Sequence, residues 1–486
     1  MEPRHAARAG ATLRPPSIVF NGRRWPADEV AAVAAGWLEA IHGALPPAPR
    51  LTAMLMTNRP DAIALFFALS TLPVPVVIYH ADPRGWRSDP PIPAGTPLFI
   101  PPSLHVLEGA GDALGLRASV LPAPQPSVAA PDAVEFLACP GFVNFTSGST
   151  GLPRPVYITT RSFLAQTAAV IDTCALSARS AVAGSLLLST HYGLGQALML
   201  PTVLGSTLGL LERFDPRSLL SLFASEPYAY WAGTPLMADL LARGAGAAPR
   251  PPVPPICHIS AGKLSARVFH AFAARFGVKL RPNYGQTENG FITVDTGPEE
   301  AIRPDCVGRA APGIEVRIGD DPLDPHPPGQ LGAVWFKSPW YMEGYGFPPD
   351  LAPRDGRQGW WPTKDIGVLD AEGYLTLAGR ADDCFKTAAG HLVNPGEIVQ
   401  ALMSEPGVRE VVVVAVRSPE GPALGVLVEA EGPVGADTLR ATAARLLPSW
   451  LQPRVLVVSD RLPRLANGKA DRDACHSILR RARGWP

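Results

Sequence analysis

The sequence predicts an α/β fold in which a large N-terminal domain is followed by a small C-terminal domain. The chain has 486 residues, more than a single core usually holds, so at least two domains are expected. Short apolar runs typical of buried strands alternate with helical patterns over most of its length, which favours largely parallel sheets. After Gly379 the pattern changes to a compact α/β unit. We therefore predict domains at residues 1–380 and 381–486.

Apolar runs mark the strands of the predicted N-terminal domain. Leu51–Met56 and Pro75–Tyr79 indicate buried strands, and Asp61–Leu72 between them indicates a helix. Further strand-like runs, each bounded by turns or helices, lie at Phe142–Phe145, Val156–Thr159, Leu186–Ser189, Thr207–Leu211 and Ile256–Ser260.

The predicted C-terminal domain contains two long β-rich runs, Val408–Val416 and Leu424–Glu431, joined by a segment of turn residues. This arrangement predicts a hairpin. Helices are predicted at Pro395–Met403 and Ala436–Leu447, and a further strand at Val455–Ser459. A unit of about 100 residues is large enough to fold on its own.

Charge and cysteine usage bear on the class of function. The 43 basic and 43 acidic residues balance, so there is no excess of positive charge for nucleic acid or an anionic membrane, and we expect neither as a partner. The six cysteines lie far apart, which favours reduced thiols and a cytoplasmic location over a zinc site or a disulfide framework. Residues 181–211 lack charged side chains, yet their glycines and proline favour a buried segment over a membrane span.

The most informative motif is a loop rich in glycine and hydroxyl groups. It follows an apolar strand, precedes the cation Arg154 and comprises Thr146, Ser147, Gly148, Ser149, Thr150 and Gly151. Glycines let backbone N–H groups approach an anion, hydroxyls add donors, and Arg154 adds positive charge. The loop is therefore predicted to bind a triphosphate, although the sequence contains neither a Walker pattern nor a dinucleotide-binding glycine motif after a strand.

This loop, TSGSTGLPRP, resembles the T-[ST]-G-[ST]-T-G-x-P-K-G loop of the adenylate-forming superfamily, which contains acyl- and aryl-CoA synthetases, peptide-synthetase adenylation domains and luciferases. Arg154 and Pro155 replace the lysine and glycine of that loop; the charge is kept, but a guanidinium is a planar fork. Further segments between Asn58 and Arg472 follow in the family's order. The resemblance implies a large N-terminal domain of layered α/β subdomains with a small barrel-like β part, and a small mobile C-terminal α/β domain.

Nucleotide-binding residues are implied first by the segment NYGQTE, Asn283–Glu288. It matches the family's Y-G-x-T-E, in which the tyrosine stacks on the purine, Thr287 reaches the α-phosphate and Glu288 holds Mg²⁺. The resemblance also assigns to the nucleotide Gly262, Asn283, Tyr284 and Gly285.

Two later segments complete the implied nucleotide site. Asp365 lies in a segment similar to G-W-x-x-T-G-D-x-G, where the aspartate accepts both ribose hydroxyls. Lys364 replaces the glycine that precedes this aspartate, so the resemblance does not determine the local backbone conformation. Arg380, in a segment similar to G-R-x-D-D, is implied to contact ribose or phosphate.

The acid pocket is implied by a different group of residues. Thr190–Gly195, THYGLG, resembles the segment in which an aromatic residue or a histidine borders the acyl pocket. Lys263 is either a solvated surface lysine or a countercharge for a substrate group. No aspartate lies where relatives that activate α-amino acids have one, which disfavours an α-amino acid. An aromatic-lined, partly polar pocket, which favours an aryl or other modest-sized acid over a long fatty chain, is suggested by His191, Tyr192, Tyr230, Trp231, Thr234 and Lys263. The implied pocket residues are His191, Tyr192, Thr234, Lys263 and Gly285.

Near the C-terminus LPRLANGKADR, Leu462–Arg472, resembles L-P-x-T-x-x-G-K-x-x-R and assigns the adenylation lysine to Lys469. The hinge between the domains is assigned to Asp382. The implied reaction joins an acid to the α-phosphorus of ATP, releases pyrophosphate, and transfers the acyl group to the thiol of CoA or of a carrier-protein phosphopantetheine. An amine acceptor and a non-catalytic nucleotide- or acyl-binding protein are the alternatives. The implied catalytic residues are Lys469, Glu288, Thr287 and Arg154.

Overall fold

The computed structural model describes residues 13–81, 88, 91–123, 134–146, 152–244, 252–347, 358–387, 391–393, 395–418, 421–464 and 470–483. The chain divides into two compact units, Met1–Glu315 with Lys337–Trp360 and Val316–Phe336 with Trp361–Pro486. Both units combine helices and sheets. This confirms the predicted mixed α/β class with a large N-terminal and a small C-terminal part. The boundary between residues 380 and 381 stays a prediction.

A nine-stranded, largely parallel sheet forms one layer of the first unit. Its strands are β1 (Ser17–Phe20), β2 (Arg23–Trp25), β9 (Ala181–Gly184), β10 (Thr207–Leu210), β11 (Tyr228–Gly233), β12 (Ile256–Ile259), β13 (Leu280–Gln286), β14 (Gly290–Val294) and β15 (Arg309–Ala310). Their order is β15-β14-β13-β12-β11-β9-β10-β1-β2. The pairings from β1 through β10, β9, β11 and β12 to β13 are parallel, and antiparallel pairs extend both edges.

A seven-stranded sheet forms another layer of this unit. Its strands are β3 (Thr52–Met56), β4 (Val76–His80), β5 (Pro97–Ile100), β6 (Arg117–Val120), β7 (Gly141–Phe145), β8 (Pro155–Thr159) and β18 (Gly344–Tyr345). Their order is β18-β8-β7-β4-β3-β5-β6, with antiparallel pairing only at the β18-β8-β7 end among the described strands. The strands predicted at the positions of β3, β4, β7 and β8 are confirmed, as are those at β10 and β12.

The helices of the first unit connect these strands. They are α1 (Ala27–Gly36), α2 (Leu38–Ala44), α3 (Pro60–Leu69), α4 (Ala110–Leu114), α5 (Thr160–Thr173), α6 (His191–Gly193), α7 (Leu200–Leu204), α8 (Pro216–Ser225), α9 (Pro235–Arg243) and α10 (Ala266–Phe276). A π-helical stretch, Leu194–Met199, joins α6 to α7. Hydroxyl side chains start several of these helices by accepting a backbone N–H, as Ser265 does from Val268 at the start of α10.

The two faces of β11 and β12 differ in polarity. Trp231, Cys257 and Ile259 pack into an apolar cluster with residues of α8–α10. In that cluster the rings of Trp231 and Phe272 stack at 6.4 Å and 8°. Because successive side chains of a strand point to opposite faces, the residues between them project to the other side of the sheet. That second face carries the buried polar side chains Tyr230 and His258.

The structure corrects one predicted strand. The strand lies at Ala181–Gly184, and Leu186–Ser189 forms a connection of turns and bends. Asn58 supplies the physical reason, because its Nδ2 donates to Leu186 O at 2.8 Å and its Oδ1 accepts from Leu188 N at 3.0 Å. A side chain that satisfies these backbone groups takes the place of a neighbouring strand.

The second unit contains three smaller sheets. Its strands are β16 (Glu315–Ile318), β17 (Gly332–Lys337), β19 (Trp361–Leu369), β20 (Leu375–Arg380), β21 (Phe385–Lys386), β22 (Leu392–Val393), β23 (Val408–Ser418), β24 (Gly421–Ala430) and β25 (Val455–Ser459), and its helices are α11 (Pro395–Met403), α12 (Ala436–Leu446) and α13 (Arg472–Arg483). The sheets have the orders β16-β17-β19-β20, β21-β22 and β23-β24-β25. The predicted hairpin is the antiparallel β23–β24 pair. Apolar side chains cover both faces of its sheet.

Lys364 shows how the chain accommodates a lysine at a position where the resembling family has glycine. Its φ is +63°, in the left-handed region that costs an L-residue about 1–2 kcal/mol. The side chain is exposed, so it buries little apolar surface that could offset this cost. The backbone therefore keeps the conformation of a glycine while bearing a side chain.

We expect Lys364→Gly to raise the free energy of unfolding by about 1 kcal/mol, because glycine adopts positive φ without a steric penalty. Chemical denaturation followed by circular dichroism measures this change. The matched control is Lys337→Gly in the adjacent strand β17, which we expect to destabilise by about 0.5–1 kcal/mol. Destabilisation of equal size in both variants would contradict the assignment of strain to Lys364.

Candidate active site

The predicted phosphate loop connects two antiparallel strands. Phe145 at the end of β7 pairs with Pro155 at the start of β8. Thr146 and Arg154 close the loop, since Thr146 N donates to Arg154 O at 3.0 Å and Arg154 N donates to Thr146 Oγ1 at 2.9 Å. These bonds fix both ends of the loop. The predicted residues Ser147, Gly148, Ser149, Thr150 and Gly151 lie outside the described residues.

Arg154, Tyr345 and Glu288 form a contact group beside this loop. The guanidinium carbon of Arg154 lies 3.3 Å from the centroid of the Tyr345 ring. The Tyr345 hydroxyl donates to Glu288 Oε1 at 2.8 Å. Strand β18 places Tyr345 here by pairing it with Val156, two residues after Arg154. A planar guanidinium can stack on a ring face, which a lysine ammonium cannot do, so the arginine of this loop has a matching partner.

Electrostatics keep the Tyr345 hydroxyl a donor. Burial and then the neighbouring Glu288 carboxylate raise the pKa of Tyr345 above its ordinary value, so the phenol stays protonated at neutral pH. The Tyr345 hydroxyl therefore keeps the proton that it donates to Glu288 Oε1. One tyrosine thus links the cation and the anion of the predicted phosphate site.

Glu288 and Thr287 lie on the tight connection between β13 and β14. Tyr284 on β13 is buried and accepts a hydrogen bond from Gln286 Nε2 at 3.2 Å. A Cβ at Gly285 would lie 2.0 Å from Gly290 O, so the hairpin closes only because this position is glycine. The hairpin brings the predicted purine, α-phosphate and metal residues into one short segment.

The segment after β12 contains the predicted residues Gly262 and Lys263. Ala261 adopts φ +65° there, and both Gly262 and Lys263 are exposed. Packing around the ammonium lowers the pKa of Lys263, partly offset by Asp305, even though the residue as a whole is exposed. The role of Lys263 stays a prediction.

His191 and Tyr192 begin the short helix α6. His191 Nε2 lies 3.0 Å from Gln166 Oε1, and burial lowers the pKa of His191 to about 4, so its ring is neutral near pH 7. The Tyr192 hydroxyl donates to Gly233 O at 3.4 Å. The predicted pocket residue Thr234 uses its hydroxyl to cap α9, accepting from Met237 N at 3.3 Å.

Asp365 and Arg380 face each other on β19 and β20 of the second unit. Asp365 Oδ1 lies 3.3 Å from an Nη atom of Arg380. Asp365 is buried, and Thr363 Oγ1 accepts from its backbone N–H at 3.0 Å. Asp382 belongs to a 3₁₀ turn, Ala381–Asp383. Lys469 lies outside the described residues.

Sequence reasoning missed several residues of these contact groups. Tyr345 lies outside the motifs that resemble the family, and its only local signal is an aromatic residue between two glycines. His258 interrupts an apolar strand, a signal that a polar side chain enters a buried face. In the first unit the structure brings together Thr146, Arg154 and Glu288, and separately His191 and Gln166.

Comparison with known proteins decides the family. The family model described as AMP-binding enzyme matches residues 118–346, and the AMP-binding enzyme C-terminal domain matches residues 397–469. A sulfoacetate–CoA ligase of Cupriavidus necator is 30% identical over 377 residues, which cover 76% of this chain and 70% of that protein. The chain belongs to the AMP-binding enzyme family. A 3-hydroxybenzoate–CoA ligase of Aromatoleum is 28% identical over 404 residues, covering 79% and 75% of the two chains.

The AMP-binding enzyme fold extends over the whole chain. The crystal structure of ATP-bound MatB from Rhodopseudomonas palustris matches with a TM-score of 0.79 at 19% identity, covering 98% of this chain and 99% of that one. As a member of this family with acyl–CoA ligase relatives, the protein is an AMP-forming acid–thiol ligase: it adenylates a carboxylic acid and transfers the acyl group to a thiol. Among the described residues, no helix has the length and apolar character needed to cross a membrane.

We expect Tyr345→Phe to lower kcat/KM for ATP in adenylate formation by about tenfold or more, since a hydrogen bond to a charged group contributes about 1.5–3 kcal/mol. Steady-state kinetics with the acid that gives the highest kcat/KM measures this loss. Tyr341→Phe is the matched control, because it also removes a hydroxyl donor, bonded to Gly359 O at 2.7 Å. We expect that variant to remain within about twofold of the parent enzyme; an equal loss in both would contradict the role of Tyr345.

Proposed function

We propose that the protein activates an aryl or other modest-sized carboxylic acid with ATP and transfers the acyl group to CoA. The observation that supports this most is the contact of Arg154, Tyr345 and Glu288 beside the phosphate loop. It provides a fixed positive charge and a carboxylate next to each other, as a metal-bound triphosphate requires. The 3-hydroxybenzoate–CoA ligase among the relatives supports an aryl acid and CoA.

The phosphate groups would bind at the ends and within the loop that Thr146 and Arg154 close. Charge grows on the phosphate oxygens when the acid carboxylate attacks the α-phosphorus, so fixed donors and a guanidinium lower the barrier. Thr287 would donate to the α-phosphate, and Tyr284 would stack on the purine. Asp365 and Arg380 would bind the ribose hydroxyls and a phosphate or ribose oxygen.

Glu288 would hold Mg²⁺ together with the nucleotide. The part of the chain that the structure describes contains no group of three or more His, Cys, Asp or Glu side chains that could hold a metal. A single carboxylate, that of Glu288, fits Mg²⁺, because proteins usually bind this ion through one or two carboxylates plus substrate phosphates and not through a protein cage. When bound, Mg²⁺ neutralises charge on the phosphate oxygens.

Lys469 and Asp382 would act at different stages of the cycle. The lysine would contact the carboxylate and an α-phosphate oxygen during adenylation. A rotation about Asp382 would then withdraw it and admit the thiol, which attacks the acyl carbon as AMP leaves. We place this reaction in the cytoplasm, since all six cysteines are free thiols.

The acid would bind among His191, Tyr192, Thr234, Gly285 and Lys263. On α6, His191 is buried and Tyr192 is half-buried. Both are neutral near pH 7, because desolvation lowers the pKa of His191 and raises that of Tyr192. A neutral, partly aromatic wall suits a flat or short acyl group better than a charged one.

ATP–pyrophosphate exchange across a panel of acids tests the proposed function. We expect exchange with aryl acids to exceed exchange with long-chain fatty acids by at least about tenfold in kcat/KM, because a closed pocket excludes the longer chain. With the best acid, adding CoA should convert the adenylate to a thioester. No exchange with any acid would contradict the proposal, and acyl transfer only to a carrier protein or to an amine would replace CoA as the acceptor.

We expect Lys469→Ala to lower adenylate formation by at least about a hundredfold, since it removes a charge that acts in the transition state. The same variant should still convert a supplied acyl-adenylate and CoA to the thioester at close to the parent rate. Single-turnover assays of the two half-reactions measure both. Lys279→Ala, which removes a half-buried lysine of the first unit whose Nζ donates to Glu299 O at 2.8 Å, is the control. Equal loss of both half-reactions in folded Lys469→Ala would show that the lysine acts otherwise.

A further inference from the structure

The polar face of the nine-stranded sheet contains a connected chain of buried side chains. The Tyr230 hydroxyl lies 2.5 Å from Gln196 Oε1 and 3.0 Å from His258 Nδ1. Asn283 Nδ2 lies 3.4 Å from the same His258 nitrogen. The Asn283 side chain also hydrogen-bonds that of Tyr192, and because this bond lowers the pKa of Tyr192, the amide N–H is its donor. The chain therefore links Gln196 under the sheet face to Tyr192, which is one of the predicted pocket residues.

Polar side chains at these positions need an explanation beyond packing. Tyr230 and His258 are fully buried, and their strand neighbours Trp231 and Cys257 show that this sheet can bury apolar side chains. Burying a polar group costs free energy unless every donor and acceptor finds a partner. A core made only for stability would place apolar residues on both faces.

Two atoms near this chain lack a hydrogen-bond partner within the described part of the protein. One is Asn283 Oδ1, on a side chain only 5% exposed, and the other is His191 Nδ1, on a residue 8% exposed. Asn283 contacts Tyr192, the neighbour of His191 in sequence, so both atoms belong to the same region of the first unit. They are the unsatisfied ends of an otherwise bonded network.

The chemistry of the two atoms is the same, since both are acceptors. Gln166 Nε2 donates to Trp340 O at 3.2 Å, which orients the amide so that its Oε1 accepts from His191 Nε2–H. His191 is neutral, so its Nδ1 then carries a lone pair and no proton. Asn283 Oδ1 is a carbonyl oxygen. A ligand that satisfies either atom must therefore bring an O–H or N–H group.

The side chains of the network itself are uncharged. Burial, and then the nearby Arg281 charge, lower the pKa of His258 to about 3, and burial lowers that of His191 to about 4. Near pH 7 the network therefore has neutral imidazoles, phenols and amides. An ammonium on the ligand would be buried among these neutral groups and near the positive charge of Arg281, at a large cost in free energy.

We propose that the acid bears a hydroxyl or an uncharged amino group that donates to Asn283 Oδ1, with Tyr230 and His258 as positioning residues that hold the Asn283 amide. This inference rests on the proposed function, because it names the substituent of the acid that the enzyme adenylates. A site that pairs its buried acceptor only with the correct substrate discriminates strongly against the analogue that lacks the donor.

The test compares matched acids by ATP–pyrophosphate exchange: benzoate, 3- and 4-hydroxybenzoate, 3- and 4-fluorobenzoate, and the pair hexanoate and 6-hydroxyhexanoate. The measured quantity is the ratio of kcat/KM for a hydroxy acid to that for its fluoro or unsubstituted partner. We expect this ratio to be at least about tenfold for one hydroxy acid in the parent enzyme.

Three variants separate recognition from fold stability. Asn283→Leu should bring the ratio to about one, and Tyr230→Phe should lower it at least threefold, because the amide loses its support. Tyr228→Phe is the matched control: it removes a phenol from the same strand, but Tyr228 packs into the apolar cluster on the opposite face. Its ratio should equal that of the parent. Because each ratio compares two acids within one variant, a purely structural loss would not change it.

The outcomes distinguish this inference from the proposed function. If no acid of the panel supports exchange, the proposed function fails and the inference fails with it. If acids support exchange but the hydroxy acids show no advantage in the parent enzyme, the inference alone is wrong. It is also wrong if the ratio survives unchanged in Asn283→Leu and Tyr230→Phe.

Discussion

The close approach of two backbone segments at Gly285 and Gly290 is the constraint on which the candidate site of the first unit depends. A Cβ at Gly285 would lie 2.0 Å from Gly290 O, and a Cβ at Gly290 would lie 2.1 Å from Gln166 Oε1 and 2.6 Å from His191 Nε2. Gly290 also has φ +68°, in the region that favours glycine. The same hairpin therefore holds Glu288 on the connection between its two strands, while Gly290 lies against the side chains of Gln166 and His191. The backbone of this hairpin therefore connects the predicted nucleotide residue Glu288 with the predicted acid residue His191.

The arginine of the phosphate loop is understandable only together with its tyrosine. A lysine on that loop would present a point charge free to follow the phosphates, whereas the guanidinium carbon of Arg154 lies 3.3 Å from the centroid of the Tyr345 ring. Tyr345 in turn bonds Glu288. The substitution thus exchanges adaptability for a fixed cation whose position depends on strand β18. A Lys-to-Arg change in such a loop is conservative in charge but not in geometry.

Local patterns predicted most of the fold. Apolar runs such as Thr52–Met56 and the hairpin of β23 and β24 follow from side-chain periodicity, because each run is long and bounded by turns. The run at Leu186–Ser189 was misassigned because Asn58, more than a hundred positions away, satisfies its backbone. Similarly, the motif residue Glu288 could be named from sequence, but its partner Tyr345 could not. Long-range side-chain contacts of this kind have no local signal.

The distribution of charge in the first unit gives the acid an orientation. The fixed charges of Arg154 and Glu288 lie beside the phosphate loop, whereas the histidines at positions 191 and 258 are buried and neutral. Transfer of a carboxylate from water costs far less free energy beside the charged groups of the phosphate loop than among neutral side chains. Under the proposed function, the acid therefore enters with its carboxylate toward the phosphates and its uncharged end toward the network around Asn283. Selection for the substituent and alignment of the reacting oxygen then have one electrostatic cause, since an acid bound the other way round would bury its charge among neutral imidazoles, phenols and amides.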